Sequence, residues 1–79
     1  MTKEELAKVP FTFSSHISME HEHSITYVNT DYGFTMSKHT KAKNGFTYGR
    51  TRTLYSYKGK VYTSLPMFLE AIKDVPFKG

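Results

Sequence analysis

Apolar and polar residues alternate through much of the first half of this chain. Phe11, Phe13, Ile17 and Met19 interleave with Thr12, Ser14, His16 and Ser18. That period of two predicts a half-buried strand from Phe11 to about Met19. After a polar run at residues 20–23, Ile25 and Tyr27 mark a second strand. Asn29, Thr30 and Asp31 supply turn residues, and Tyr32, Phe34 and Met36 alternate again in a third strand. Residues 41–45 read as a loop, in which Asn44-Gly45 is a strong turn dipeptide. A long fourth strand runs from Phe46 to about Tyr57. Lys58-Gly59 closes a hairpin to a fifth strand, residues 60–63.

The periodicity changes at both ends. Thr2 and Glu5 have the spacing of a capping box, in which hydroxyl and carboxylate satisfy reciprocal backbone donors. A short helix follows, with Leu6 and Val9 as its apolar face, and Pro10 ends it. Near the C-terminus, Leu65, Phe68, Leu69 and Ile72 recur at i, i+3, i+4 and i+7, the signature of an amphipathic helix. Ser64 is a good N-cap for that helix, Pro66 falls in its first turn, and Pro76 stops it after Val75.

The predicted order is α-β-β-β-β-β-α. Short turns between strands imply an antiparallel meander. The fold class is therefore α+β: a small meander of four to five strands, a short N-terminal helix, and a C-terminal amphipathic helix packed on one face. Seventy-nine residues make one domain. A two-residue loop at Lys58-Gly59 pairs Tyr57 with Lys60 and Tyr55 with Tyr62, so these side chains share one face. Leu54, Val61 and Thr63 share the other, and aliphatic residues are the natural seat for the helix. The tyrosines are then expected to look outward. The helix is expected to pack through Leu65, Phe68, Leu69 and Ile72 near Phe13, Ile17, Phe34 and Leu54. Arg50 and Arg52 fall on the Leu54 face, where unpaired guanidiniums could not be buried. Either they lie beyond the helix, or Gly49 is a bulge that turns them over.

Charge adds a direction to this picture. Residues 1–37 hold two bases against five acids, whereas residues 38–60 hold seven bases and no acid. The seven are Lys38, Lys41, Lys43, Arg50, Arg52, Lys58 and Lys60, interleaved with Phe46, Tyr48, Tyr55 and Tyr57. Local positive charge beside flat rings suits a partner with phosphates and stackable bases. The expected nucleic-acid surface is Arg50, Arg52, Lys58, Lys60, Lys41 and Lys43 for phosphates, with Tyr48, Tyr55 and Tyr57 for stacking. The partner could be DNA or RNA. The same composition also fits strand propensity with lysine-protected edges. It equally fits a protein contact, because tyrosine and arginine are favoured at interfaces. The alternative partners are thus an acidic protein surface or a second copy in a homodimer.

The hairpin followed by Ser-Leu-x-x-Phe-Leu-x-x-Ile, Ser64 to Ile72, resembles small sheet-plus-helix DNA-binding modules such as the arm-binding domains of tyrosine integrases. The likeness covers residues 46–75. It implies a sheet surface applied to nucleic acid.

Other chemistry is sparse. There are no cysteines, hence no disulfide or thiolate. His21 and His23 flank Glu22, but two ligands at this spacing fall short of a zinc site, which would need a third such as His39 or His16. Nucleophile elbows and phosphate-binding glycine loops are missing from the sequence. The expectation is a non-enzyme with no cofactor and no metal. The first residues are too acidic and polar for a signal peptide. No apolar run approaches the ~20 residues that span a bilayer, so no membrane is expected and a cytoplasmic location is the default.

Overall fold

The computed structural model describes residues 1–79. It contains helix α1 (Lys3–Leu6), strands β1 (Thr12–Ser18), β2 (Glu22–Asn29), β3 (Phe34–Lys43), β4 (Phe46–Tyr57) and β5 (Lys60–Tyr62), and helix α2 (Leu65–Ala71). The five strands form one antiparallel sheet in chain order. The α+β meander is thus as the sequence predicts.

Both helices begin where their caps direct. Thr2 Oγ1 accepts from the Glu5 N–H at 3.2 Å, and the Thr2 N–H donates to Glu5 Oε1 at 2.8 Å. Ser64 Oγ accepts from the Met67 N–H at 3.4 Å, with Pro66 in the first turn. The other end of α2 is closed by the amino group of Met1. It donates to the carbonyls of Ile72, Lys73 and Val75 at 2.9, 3.0 and 2.8 Å. A cation on the last carbonyls of a helix satisfies orphan acceptors and opposes the helix dipole.

The two turn dipeptides share one geometry. Asn44 and Gly45 have φ of 52° and 84°, and Lys58 and Gly59 have 51° and 79°. Two successive residues at positive φ make the tight turn whose twist matches paired strands. At Lys58-Gly59 this fixes the expected register, Tyr57 opposite Lys60 and Tyr55 opposite Tyr62. At Asn44-Gly45 it corrects the expectation of a loop over residues 41–45. There β3 runs on to Lys43, which pairs with Phe46.

The side of the sheet that α2 covers is opposite to the one expected. The buried cluster is Met1, Leu6, Val9, Phe34, Phe68 and Ile72, with Tyr55, Tyr57, Tyr62, Leu65 and Leu69 packed against it. Phe34 lies opposite Tyr57, and Tyr55 shares their face, so β3 and β4 present a group of aromatic rings to the helix. The physical reason is area. Aromatic rings bury far more surface than Leu54 and Val61 could, and the neighbours of those two on their own face are Thr35, Ser37 and Ser56. Leu54 therefore faces away from α2, and Val61 is 63% exposed. Phe13 and Ile17 are also exposed, contrary to the expectation that they line the helix.

Cover is confined to one end. The molecule measures 43 × 22 × 21 Å along its principal axes. All of β1 and the first seven residues of β4 are exposed. The end of the sheet that carries the Asn44-Gly45 turn thus projects as a ribbon away from the core.

Candidate nucleic-acid interface

The site grows out of the register. Lys43 lies opposite Phe46, and Lys41 opposite Tyr48. His39 pairs with Arg52 on β4 and with Ser24 on β2, and Lys41 pairs with Glu22. Successive side chains alternate across a strand, so Lys41, Lys43, Phe46, Tyr48 and Arg52 point to the side opposite α2. Between the His39 and Lys41 pairs, Gly49, Arg50 and Thr51 of β4 face the single residue Thr40, and the ladder is interrupted. Gly49 has φ of 77°, a conformation that glycine adopts without steric cost. The irregularity at Gly49, one of the two alternatives, is therefore present, but it does not turn the arginines over: Arg52 stays on the face of Leu54, beyond the cover of α2. Two extra residues preserve the alternation, and Arg50 lines the same cleft as Arg52. The guanidiniums avoid burial because the sheet face they occupy has no helix on it.

Solvent reaches this surface freely. Phe46 is 79% exposed and Tyr48 is 54% exposed. Beside them a polar cleft of about 280 Å³ is lined by Glu22, His39, Lys41, Arg50 and Arg52. Glu22 Oε1 lies 3.9 Å from Arg52 Nη2, and its Oε2 lies 3.5 Å from His39 Nδ1. His39 Nε2 and Ser37 Oγ are 3.0 Å apart. His39 Nδ1 is buried and has no hydrogen-bond partner. Lys41, Lys43 and Arg50 form no ion pair, so their charge is available to a ligand.

Other predicted residues fall elsewhere. Tyr55 stacks on Phe68 with centroids 4.8 Å apart, and Tyr57 meets Phe34 edge-on at 5.3 Å. Their rings belong to the packing under α2, which corrects the outward-facing tyrosine surface. Lys58 and Lys60 sit at the opposite end of β4, about 20 Å from Arg52 at roughly 3.3 Å per residue. The Lys58 ammonium rests 5.3 Å from the centre of the Tyr57 ring. Lys38 pairs with Ile25 on the α2 side, and its ammonium lies 5.8 Å from the Tyr27 ring. The basic run in sequence is thus divided between two ends and two faces.

Phe46, Glu22 and His39 join the site without having been among its predicted members. The signal for Phe46 was present in Asn44-Gly45. Read as a two-residue turn, it gives the pairs 43–46 and 41–48 directly.

The order Ser37–His39–Glu22 follows the sequence of contacts in a nucleophile–base–acid line. β3 is paired on both sides, so its own N–H groups serve the ladder there. Among the remaining histidines, His23 bonds Ser18 Oγ at 3.1 Å and meets the His16 ring edge-on at 5.9 Å. His21 is exposed beside Glu20. No three histidine or acidic side chains are grouped to hold a metal ion. No helix is long and apolar enough to cross a membrane. Comparison with protein families, with curated proteins and with solved structures finds no match to this chain.

Proposed function

We propose that this domain binds single-stranded nucleic acid, DNA or RNA, through the sheet face opposite α2 at its Asn44-Gly45 end. The reading rests on one observation: Lys41, Lys43, Arg50 and Arg52 share a face with the exposed rings of Phe46 and Tyr48. Cations along a strand hold successive phosphates, and exposed rings stack on unpaired bases whatever their sequence. A duplex keeps its bases stacked internally, so the rings favour an open strand. In this reading Lys58 and Lys60 play at most a peripheral part, and Tyr55 and Tyr57 act through the core. The role is that of an accessory binding protein, with no chemical step, cofactor or metal.

The competing reading is a contact with an acidic protein or a second copy through the same face. Binding titrations with matched single- and double-stranded oligonucleotides of DNA and RNA separate the two. The nucleic-acid reading expects single strands to bind more tightly than duplexes, and Tyr48→Ala to narrow that difference. A partner protein or a homodimer would instead bury Phe46 and Tyr48, with no nucleic-acid binding at about 50 mM salt, where attraction to phosphates is strong.

A further inference from the structure

We infer that the cleft between Lys41, Arg50 and Arg52 is a seat for a terminal phosphate monoester. The inference rests on the nucleic-acid reading and names the part of the strand that this cleft takes. Lys41, Arg50 and Arg52 stand against the single carboxylate of Glu22, and no apolar side chain lines the cleft. Three fixed cations against one anion leave a charge of two to be met. An internal phosphodiester brings one negative charge, whereas a phosphate monoester brings about −1.5 to −2 near neutral pH and three acceptor oxygens. Two guanidiniums two residues apart on a strand can also offer paired N–H donors to one phosphate, the geometry at which arginine excels.

Glu22 accounts for the waiting state. Its carboxylate stands 3.9 Å from Arg52 and 3.5 Å from His39 Nδ1, close to both groups and hydrogen-bonded to neither. A phosphate draws Arg52 away from Glu22. The carboxylate then closes the short gap to His39, whose Nδ1 lacks a partner and whose far nitrogen is held by Ser37 Oγ at 3.0 Å. His39 and Ser37 are positioning residues in this arrangement, and the cations touch the ligand.

The test uses one short single-stranded sequence in three forms: 5′-phosphate, 3′-phosphate and hydroxyl at both ends. The full chain is titrated with each at fixed salt. One phosphorylated form should bind about tenfold more tightly than the hydroxyl form, the size of one added charge-assisted hydrogen bond. Which form gains identifies the end that enters. Inorganic phosphate at millimolar concentration should compete away that gain. R50A/R52A should abolish it with the circular-dichroism spectrum unchanged, and Tyr48→Ala should weaken all three forms equally. Equal affinity for the three forms would overturn the terminal-phosphate seat and leave the nucleic-acid reading standing. No binding of any form would overturn both.

Discussion

The rings of Tyr55 and Phe68 stack with centroids 4.8 Å apart and planes inclined by only 14°. That contact decides which side of the sheet is free. Every residue of β4 with the parity of Tyr55 turns toward α2 near the core, and every residue with the parity of Leu54 turns away. Phe68 has no exposed surface and also touches Phe34 and Tyr62. Phe68→Ala should cost about 3–5 kcal/mol, a large share of the stability of a small domain. Urea denaturation measures it. A loss below ~1 kcal/mol would show that the ring is not the centre of the core.

The two groups of tyrosines should separate in a paired experiment. Tyr55→Ala removes a half-buried ring packed against the core and should lower stability by about 2–3 kcal/mol, less than the loss of a fully buried aromatic. Tyr48→Ala removes an exposed ring and should change stability by no more than about 0.5 kcal/mol. Its effect belongs to binding: a loss of roughly 1–3 kcal/mol toward single strands for each lost stack. Phe46→Ala should behave as Tyr48→Ala does. If Tyr48→Ala destabilised the fold as much as Tyr55→Ala, the assignment of faces would be wrong.

The Met1 amino group gives a chemical test of the closure of α2. Acetylation replaces a charged group that donates to three carbonyls by an amide with a single N–H. The loss should be at least that of one hydrogen bond to a charged group, about 1.5–3 kcal/mol. Denaturation of the acetylated and free chains, otherwise identical, measures it. Equal midpoints would mean that these contacts contribute nothing.

Gly49 and Gly59 lie at φ of 77° and 79° with open space where a Cβ would stand. Substitution by alanine there meets no clash and incurs only the backbone cost of the left-handed region, roughly 1–2 kcal/mol. Gly59→Ala should lower stability alone. Gly49→Ala should also weaken oligonucleotide binding, since Gly49 belongs to the bulge that carries Arg50. Binding unchanged in Gly49→Ala, at matched folded fraction, would separate the bulge from the site.

Local signals were the legible ones. The Thr2–Glu5 capping box, the Ser64 cap and the Tyr55–Tyr62 register follow from contacts a few residues apart, and sequence spacing records such contacts directly. The side of the sheet that meets α2 was not legible from β4 and β5 alone. It depends on Phe34 of β3 joining Tyr57 across the ladder. Tyrosine also misleads by its polar tip: the ring packs inward while the hydroxyl reaches toward water. The site was half visible. The charge run identified Lys41, Lys43, Arg50 and Arg52, but a linear run cannot show that Lys58 and Lys60 end up at the far turn. Nor can it show that Glu22 and His39, from different strands, close the cleft.

In the proposed function four cations on one face, Lys41, Lys43, Arg50 and Arg52, engage phosphates. The measurement that bears on it most directly is the affinity for a single-stranded oligonucleotide as salt is raised. On a strand with hydroxyl ends, where Lys41, Lys43, Arg50 and Arg52 meet internal phosphates only, log K against log salt should fall with a slope of about −3, near −0.7 per contact. In R50A/R52A the slope should flatten to roughly half that value, whereas in Tyr48→Ala it should stay unchanged while affinity drops. A folded protein that shows no binding at about 50 mM salt, or a slope near zero, would contradict the account.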